Sequence, residues 1–280
     1  MSNNKKPNIY VMLSFDVDGE TLWLSRDKIN PVGPVMLSQG AYGPKVAVPK
    51  ILKLLRKYDI KSTFFVPGWV AEHYSRICDE ILKNGHEIGH HGYMHEWPNR
   101  ATPDEERESF QLGFEHLERV TGQRPVGYRS PGWEFSPITM ELLIENNFLY
   151  SSNMMDSDEP YEHIINGKPT GLIELPVSWI LDDAAFFMFG ITTSGYVIQN
   201  SRQVLEIWID EFDGLCNEGE GKIYVLTMHP QIIGKASRLM MLEKLINHIR
   251  GKSGVHFLTG MGAAMNFVSS QGYIELPKLF

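Results

Sequence analysis

The chain has few cysteines, no long apolar run and no basic stretch. Its 280 residues include two cysteines, Cys78 and Cys216, which are too few for a disulfide framework. No segment approaches the roughly 20 consecutive apolar residues that cross a bilayer. The formal net charge is −8 and the lysines and arginines are dispersed. This composition disfavours nucleic acid and anionic membranes as partners, because both are bound through concentrated positive charge.

The first residues, MSNNKKPNIYVMLSFD, also lack the features of an export signal. Their apolar run is short, no small-residue cleavage site follows it, and it leads into Asp16 and Asp18. Together with the low cysteine content, this predicts a cytoplasmic protein. The 42% hydrophobic content and the absence of low-complexity segments predict a folded chain with a sizeable core.

Short β-rich apolar runs alternate with helical patterns along the chain. The predicted strands are Ile9–Phe15, Ser62–Val66, His86–Gly89, Val126–Arg129, Phe148–Ser152, Leu172–Trp179, Lys222–Met228 and Val255–Leu258. This alternation predicts a parallel sheet with helical crossovers. The length favours a distorted (β/α) barrel with about seven or eight parallel strands over an open doubly wound sheet. No linker or internal repeat interrupts the pattern, so residues 1–280 are predicted to form a single domain.

The clearest predicted helix is Thr102–Thr121. Thr102 can cap its first turn and Glu105 completes a capping box. Two stretches, Gly19–Lys45 and Met154–Gly171, are predicted to be long irregular loops. Loops of this length in compact domains are often lids or binding loops.

Two carboxylates follow the first predicted strand in the sequence SFDVDGE. Asp16 and Asp18 are two residues apart, so in an extended chain they point to the same side. At the carboxyl end of a barrel strand they would face the rim where such folds keep their active sites. The alternative interpretation is an Asp-x-Asp-Gly turn closed by local hydrogen bonds.

The segment HEIGHHGYMHE concentrates four histidines: His86, His90, His91 and His95. The last two have the i, i+4 spacing that serves metal binding on a helix, but the glycines here argue against a regular helix. In a straight strand they would lie about 13 Å apart. If both bind one ion the chain must curl, and Gly92 makes that easier. His86 and His90 are also four residues apart, so spacing alone does not choose between the two pairs. A hydrogen-bonded cluster without metal is the alternative.

Two further side chains stand at strand exits. Arg129 follows a predicted strand in VGYRSPGWEF, and His229 follows another in KIYVLTMHP, where Pro230 keeps it extended. Taken singly, each is equally consistent with a structural role. Together with the carboxylates and the histidines they would converge on one rim of a barrel.

The motifs FDVDG, HHGYMH, RSPGW and LTMHP occur in the order and approximate spacing of the polysaccharide deacetylases, the NodB-homology or carbohydrate esterase 4 family. The chain resembles that family from about Ile9 to Leu258. The segments GLIELPVSWILDD and LTMHPQIIG look like an intracellular subgroup that contains peptidoglycan deacetylases and cyclic imide hydrolases. Metal-independent allantoinases form a further branch.

The resemblance implies a divalent metal, usually zinc, whose ligands are Asp18, His91 and His95. It implies three catalytic side chains, namely Asp16 as base, Arg129 as its partner and His229 as acid. The implied reaction is hydrolysis of a non-peptide carbon–nitrogen bond by a metal-activated water. His86 and His90 match no ligand position, which implies a supporting role for them.

The chain departs from the family pattern at two places. Most members have adjacent aspartates, whereas Val17 separates Asp16 from Asp18 here, as it does in the intracellular subgroup. The carboxylate that should orient the acid histidine is not evident from sequence. Its candidates are Asp156, Asp182 and Asp183.

The substrate remains open between two classes. One is an N-acetylated amino sugar, such as a peptidoglycan unit; the alternative is a cyclic imide or ureide. Four aromatic residues are predicted to wall the pocket, with packing in the core or at a subunit interface as the alternative: Trp23, Tyr42, Trp133 and Trp179. A non-catalytic carbohydrate-binding relative is disfavoured because every catalytic position is present. The subgroup suggests a homo-oligomer, a dimer or a tetramer.

Overall fold

The computed structural model describes residues 8–25, 32–188 and 198–272. These residues form one sheet flanked by helices. Its strands are β1 (Ile9–Asp16), β2 (Thr63–Val66), β3 (Glu87–His90), β4 (Gly127–Tyr128), β5 (Tyr150–Ser151), β6 (Tyr161–Ile165), β7 (Lys168–Glu174), β8 (Ile223–Met228) and β9 (Val255–Phe257).

The strands lie in the order β6-β7-β5-β4-β3-β2-β1-β8, and β9 pairs with the first half of β1. Every neighbouring pair is parallel except β6 and β7. Beyond β8, a single parallel bridge joins Thr227 to Asp182 in the segment that follows β7. The sheet therefore curls into a distorted (β/α) barrel, and the fold prediction is confirmed.

The helices of the described residues cover the sheet. They are α1 (Thr21–Leu24), α2 (Pro34–Tyr42), α3 (Val48–Tyr58), α4 (Gly68–His73), α5 (Ser75–Lys83), α6 (Pro103–Thr121), α7 (Thr139–Glu145), α8 (Asp183–Phe187), α9 (Ser201–Glu218), α10 (Pro230–Ile233), α11 (Ala236–Arg250) and α12 (Gly260–Ser270). A π-helical turn, Gly43–Ala47, joins α2 to α3, and 3₁₀ turns cover Pro98–Arg100, Pro131–Trp133 and Trp179–Leu181. None of the described helices is long and apolar enough to cross a membrane.

Both stretches predicted to be loops contain regular structure. In Gly19–Lys45 the described residues include α1, α2 and the start of the π-helical turn, with residues 26–31 outside the described part. Met154–Gly171 contains β6 and the start of β7, which form an antiparallel hairpin. Its turn is Asn166-Gly167, both with positive φ. The prediction of an irregular loop was wrong here, because it overlooked the Asn-Gly dipeptide, which is a strong sequence signal for a β-hairpin.

Side chains of β1 point alternately to the helix-covered face of the sheet and to the inside of the barrel. Val11, Leu13 and Phe15 pack outward in the cluster shared with the helices, whereas Met12 packs with residues inside the barrel. Because side chains alternate along a strand, Ser14 and Asp16 share the inner side with Met12. All six are fully or almost fully buried. The strand thus delivers polar groups to the interior at its carboxyl end.

The predicted capping box begins α6. Thr102 Oγ1 accepts a hydrogen bond from Glu105 N at 3.3 Å, and Glu105 Oε2 accepts one from Thr102 N at 2.8 Å. We expect Thr102→Ala to lower the free energy of unfolding by about 1 kcal/mol. Denaturant titration would measure this, with Thr102→Ser as the control that keeps the capping oxygen. Equal stability of the alanine and serine variants would contradict the assignment.

Candidate active site

Three side chains predicted to be metal ligands lie together at the carboxyl edge of the sheet. Asp18 follows β1, and His91 and His95 follow β3. Asp18 Oδ1 is 3.4 Å from His91 Nε2 and 3.8 Å from His95 Nε2. All three are at most 4% exposed, and the candidate ligand atoms lie within 4.8 Å of one another.

The backbone between the two histidines curls through two left-handed residues. Gly92 has φ of 73° and His95 has φ of 59°. The carboxylate of Glu96 accepts hydrogen bonds from Tyr93 N and Met94 N, which closes the turn between them. The glycine was expected to permit this curl. The positive φ of His95 was not expected, because few residues other than glycine adopt it, and residues with such backbone conformations cluster at functional sites.

The tautomer of His91 follows from its hydrogen bond. Its Nδ1 lies 2.7 Å from the carbonyl oxygen of Arg129, which can only accept, so Nδ1 carries the proton. The other nitrogen, Nε2, is therefore left with a free lone pair on the side of Asp18. A backbone carbonyl that binds one imidazole nitrogen in this way is typical of histidines that ligate metals.

Asp18 is held from one side and open on the other. Its Oδ2 accepts a hydrogen bond from Gln231 Nε2 at 3.3 Å. Its Oδ1 is buried and accepts no hydrogen bond from the part of the chain that the structure describes. Burial by itself raises the pKa of Asp18, but His95, His91 and His229 outweigh it and hold the pKa well below its ordinary value. The side chain is therefore an anion with one free oxygen.

Asp16 and Arg129 form a buried ion pair beside this cluster. Arg129 Nη1 donates to Asp16 Oδ1 at 3.0 Å, and the arginine is fully buried. The guanidinium also donates to Ser14 Oγ and to the carbonyl and hydroxyl oxygens of Ser152, and it stacks over the Phe65 ring at 4.3 Å. The second oxygen, Asp16 Oδ2, lies 3.9 Å from His91 Nε2. The arginine thus fixes one carboxylate oxygen and leaves the other towards the histidines.

His229 lies near the second carboxylate oxygen of Asp18 and is bound by Asp183. Its Nδ1 is 2.7 Å from Asp183 Oδ1, and its backbone N–H donates to the same carboxylate. Its Nε2 is 3.9 Å from Asp18 Oδ2. Burial lowers the pKa of His229, but Asp182 and Asp183 raise it well above its ordinary value. The ring is therefore a cation at neutral pH.

The structure distinguishes the three carboxylates that were candidates to orient His229. Asp183, the first residue of α8, contacts His229 directly. Asp182 lies 3.7 Å from His229 Nδ1 and caps α8. Asp156 is hydrogen-bonded to Tyr161 at an exposed position. Asp183 is thus the group placed to orient the histidine.

A cavity of about 350 Å³ opens above these groups. Its lining residues include Asp16, His91, His95, Asp182 and His229, together with Leu22, Trp97, Gly132, Trp133, Trp179, Ala184, Ala185 and Met188. Two of the four predicted wall residues are here, Trp133 and Trp179, with ring centroids 4.4 Å apart. Trp133 has a positive φ of 58°, which is uncommon for an aromatic residue.

The other two predicted wall residues do not line this cavity. Trp23 sits in α1 next to Leu22, and it is Leu22 whose side chain reaches the cavity, because neighbours on a helix point about 100° apart. Tyr42 donates a hydrogen bond to the Gly234 carbonyl and stacks against Lys235. Tyr42 therefore contacts the C-terminal end of α10 and not the cavity.

His86 and His90 lie outside the cluster. His86 Nδ1 accepts from Ser62 N, and His90 spans Gly92 N and the Phe110 carbonyl. Burial lowers the pKa of each to about 4, so both rings are neutral at pH 7. Their contacts are those of structural histidines.

Comparison with known proteins bears on the family. A family model described as "Polysaccharide deacetylase" matches residues 39–150. The chain is 32% identical over 285 residues to a peptidoglycan deacetylase from Helicobacter pylori, covering 93% of this chain and 96% of that protein. The chain belongs to the polysaccharide deacetylase family. Its deacetylase homologues imply a hydrolase of carbon–nitrogen bonds other than peptide bonds, and the predicted enzyme class is confirmed.

Solved structures agree with the assignment to the polysaccharide deacetylases. A Mycobacterium smegmatis protein assigned to the same family is 36% identical, with a TM-score of 0.87 over 99% of this chain and 96% of that one. The Puue allantoinase shares the fold, with 24% identity and a TM-score of 0.82 over 96% and 93% of the two chains. The second likeness concerns the fold alone.

The donor set fits the divalent metal on which polysaccharide deacetylases generally depend. Two imidazoles and one carboxylate match a catalytic zinc site, in which three protein ligands leave a position open. Ligand atoms that each lie about 2.1 Å from a tetrahedral ion are about 3.4 Å apart. The free Asp18 Oδ1 and the lone pair of His91 Nε2 face each other at that distance.

Two residues of this candidate site were not found from sequence. Gln231 lies two residues after His229, inside the segment LTMHPQIIG, but a buried glutamine has no periodic signature. Trp97 follows His95 by two residues and lines the cavity. Proximity to a motif was the only available signal for either.

Proposed function

We propose that the protein is a metal-dependent polysaccharide deacetylase that hydrolyses the acetamido group of an N-acetylated amino sugar, such as a peptidoglycan unit. One observation carries the proposal. A buried three-ligand cluster adjoins an arginine-bound carboxylate, Asp16, and a carboxylate-bound imidazole, His229, and both of these line the same cavity. Amide hydrolysis needs a base and an acid placed on either side of an electrophilic centre.

Asp18, His91 and His95 would hold the metal, and zinc is the ion we propose. When bound, such an ion polarises the amide carbonyl and lowers the pKa of a coordinated water to about 7. The backbone carbonyl of Arg129 keeps His91 in the ligating tautomer. Gln231 fixes one oxygen of Asp18 and so leaves the other for the ion.

Asp16 would act as the general base. Arg129 binds Oδ1, so that Oδ2 is the oxygen available to accept a proton from the attacking water. Burial of the pair strengthens this attraction relative to water, because the local dielectric constant is lower. The four other contacts of the guanidinium fix its position, and therefore that of the carboxylate.

His229 would act as the general acid. Asp183 accepts the hydrogen bond from Nδ1, so Nε2 is the atom that can deliver a proton. The raised pKa keeps the ring protonated at neutral pH, as an acid requires. The proton would go to the departing nitrogen, which is otherwise a poor leaving group.

The cavity also favours a second candidate, a hydrolase of cyclic imides or ureides. Its volume of about 350 Å³ is at the small end of ligand pockets, which suits one ring better than several linked sugars. The indole faces of Trp133 and Trp179 suit a flat ring as well as the apolar face of a sugar.

A substrate panel on the zinc-loaded protein tests the proposal. It should contain N-acetylglucosamine oligomers, succinimide, hydantoin, dihydrouracil and allantoin. We expect release of acetate from the oligomers. Ring opening without acetate release would establish the second candidate, and no turnover of any member would refute both.

The hydrogen bond from Gln231 predicts an effect on metal affinity. We expect Gln231→Leu to weaken zinc binding by about 10- to 100-fold, because Asp18 loses the group that orients it. Gln231 is 1% exposed and packs closely against Gly43, where an added Cβ would lie 3.1 Å from its Oε1.

Competition with a chelator of known affinity would measure the zinc dissociation constant of this variant. The matched control is Gln111→Leu, which removes an exposed glutamine far from Asp18 in sequence that donates a hydrogen bond to Glu115 on its own helix. Equal affinities of the two variants would show that Gln231 does not orient the ligand.

A further inference from the structure

Asp182 lines the cavity in addition to capping a helix. Its Oδ1 accepts a hydrogen bond from Ala184 N at 2.7 Å at the start of α8. Its backbone pairs with Thr227 on β8, which fixes the residue against the sheet. The residue is 4% exposed and faces the same space as Asp16 and His229.

The second oxygen of Asp182 receives no hydrogen bond from the residues that the structure describes. Over the described ranges its side chain accepts one hydrogen bond, through Oδ1, and its other charged neighbour is His229 Nδ1 at 3.7 Å, which is already bound by Asp183. Because Asp182 lines the cavity, this second oxygen is free to accept a hydrogen bond from a ligand there. Burial raises the pKa of Asp182 to about 7, and Asp183 adds to this while His229 opposes it.

We propose that Asp182 is a substrate-binding residue that accepts a hydrogen bond from a hydroxyl or N–H group of the substrate, next to the scissile amide. This rests on the proposed function, since it places the donor beside the nitrogen that His229 protonates. The chemical class follows from the geometry. The substrate is an amide with a neighbouring hydrogen-bond donor, which is a hydroxyl in an amino sugar or a ring N–H in a ureide.

The aromatic wall explains why this contact would be selective. Trp133, Trp179 and the small side chains Ala184 and Ala185 offer the substrate apolar surface around Asp182. A ring stacked there can satisfy Asp182 only through its own donor. A bound substrate without that donor would cover the second oxygen of Asp182 and leave it without a hydrogen bond, and sites of this kind reject such analogues strongly.

The test compares matched ligands on the zinc-loaded wild type and on Asp182→Asn. Dihydrouracil and glutarimide differ by one ring N–H, and N-acetylglucosamine and its 3-deoxy analogue differ by one hydroxyl. Asparagine is as good a helix cap as aspartate, so α8 keeps its first hydrogen bond while an NH₂ group replaces the free acceptor. Calorimetry would give the dissociation constants without requiring turnover.

We expect the wild type to bind the donor-bearing member of one pair at least about tenfold more tightly, and Asp182→Asn to abolish that preference. The pair that shows it identifies the source of the donor, sugar hydroxyl or ring N–H. No preference in either pair, or a preference that survives in the variant, would overturn the proposal.

A purely electrostatic role for Asp182 has a different signature. If the residue only supported the charge of His229, the variant would bind all four ligands as the wild type does while kcat fell and its alkaline limit moved down, which would also overturn the proposal. Failure of the proposed function is separate, because it appears as absence of turnover in the wild type on the substrate panel.

Discussion

Replacing His91 or His95 by alanine is expected to remove the bound metal and to lower kcat by at least about 10³-fold. Each change leaves two ligands where a catalytic site needs three. Loss of a residue that merely orients a ligand already costs about 10- to 100-fold in affinity, so loss of a ligand costs more. The rate falls because carbonyl polarisation and water activation both disappear with the ion.

Metal content after dialysis and the thermal unfolding of the protein with and without zinc would measure this effect. Zinc stabilises a protein that binds it in the folded state, so the wild type should unfold at a higher temperature with zinc and the two variants should not. The control is His86→Ala, which removes a buried histidine of the same segment that contacts Ser62 and Phe64. It should retain both zinc and the thermal shift. Loss of zinc in the control, or its retention in His91→Ala, would contradict the ligand assignment.

The position of the site followed from sequence because strand exits in a parallel barrel share one rim. Asp16, Arg129 and His229 each end or follow a strand whose apolar pattern was legible. The choice among the four histidines did not follow from spacing, because both pairs are four residues apart. It depends on the backbone at Gly92 and His95, and the positive φ of His95 is a property of the folded loop.

The site residues that could not be assigned from sequence are held by contacts between distant segments. Asp183 reaches His229 across 46 positions, and Gln231 reaches Asp18 across 213. Neither residue lies in a periodic pattern that would give its direction. The same limit explains the wall residues, since an aromatic type predicts burial but not which space it borders. Tyr42 is hydrogen-bonded to the end of α10 whereas Trp133 lines the cavity, and nothing in their residue types distinguishes these positions.

Asp16→Asn separates the base from the ligands and has the second large expected effect. A general base contributes about 10²- to 10⁴-fold to a rate, so kcat should fall by that factor while zinc content stays at the wild-type level. The substitution keeps an oxygen that can accept from Arg129 Nη1 but removes the basic oxygen on the side of His91. Steady-state kinetics on the substrate found in the panel, together with metal analysis, would measure both quantities.

Because Arg129 is buried, the Asp16→Asn variant needs a control for folding. Losing the partner of a buried charge typically costs about 3–5 kcal/mol, so a misfolded variant could imitate a catalytic loss. Arg129 retains the oxygens of Ser14 and Ser152 and the Phe65 ring, which limits that cost. Retention of zinc at wild-type affinity shows that the folded site persists and leaves proton transfer as the missing step. Loss of zinc from a folded Asp16→Asn protein would instead make Asp16 a ligand and would refute the roles proposed for the two aspartates.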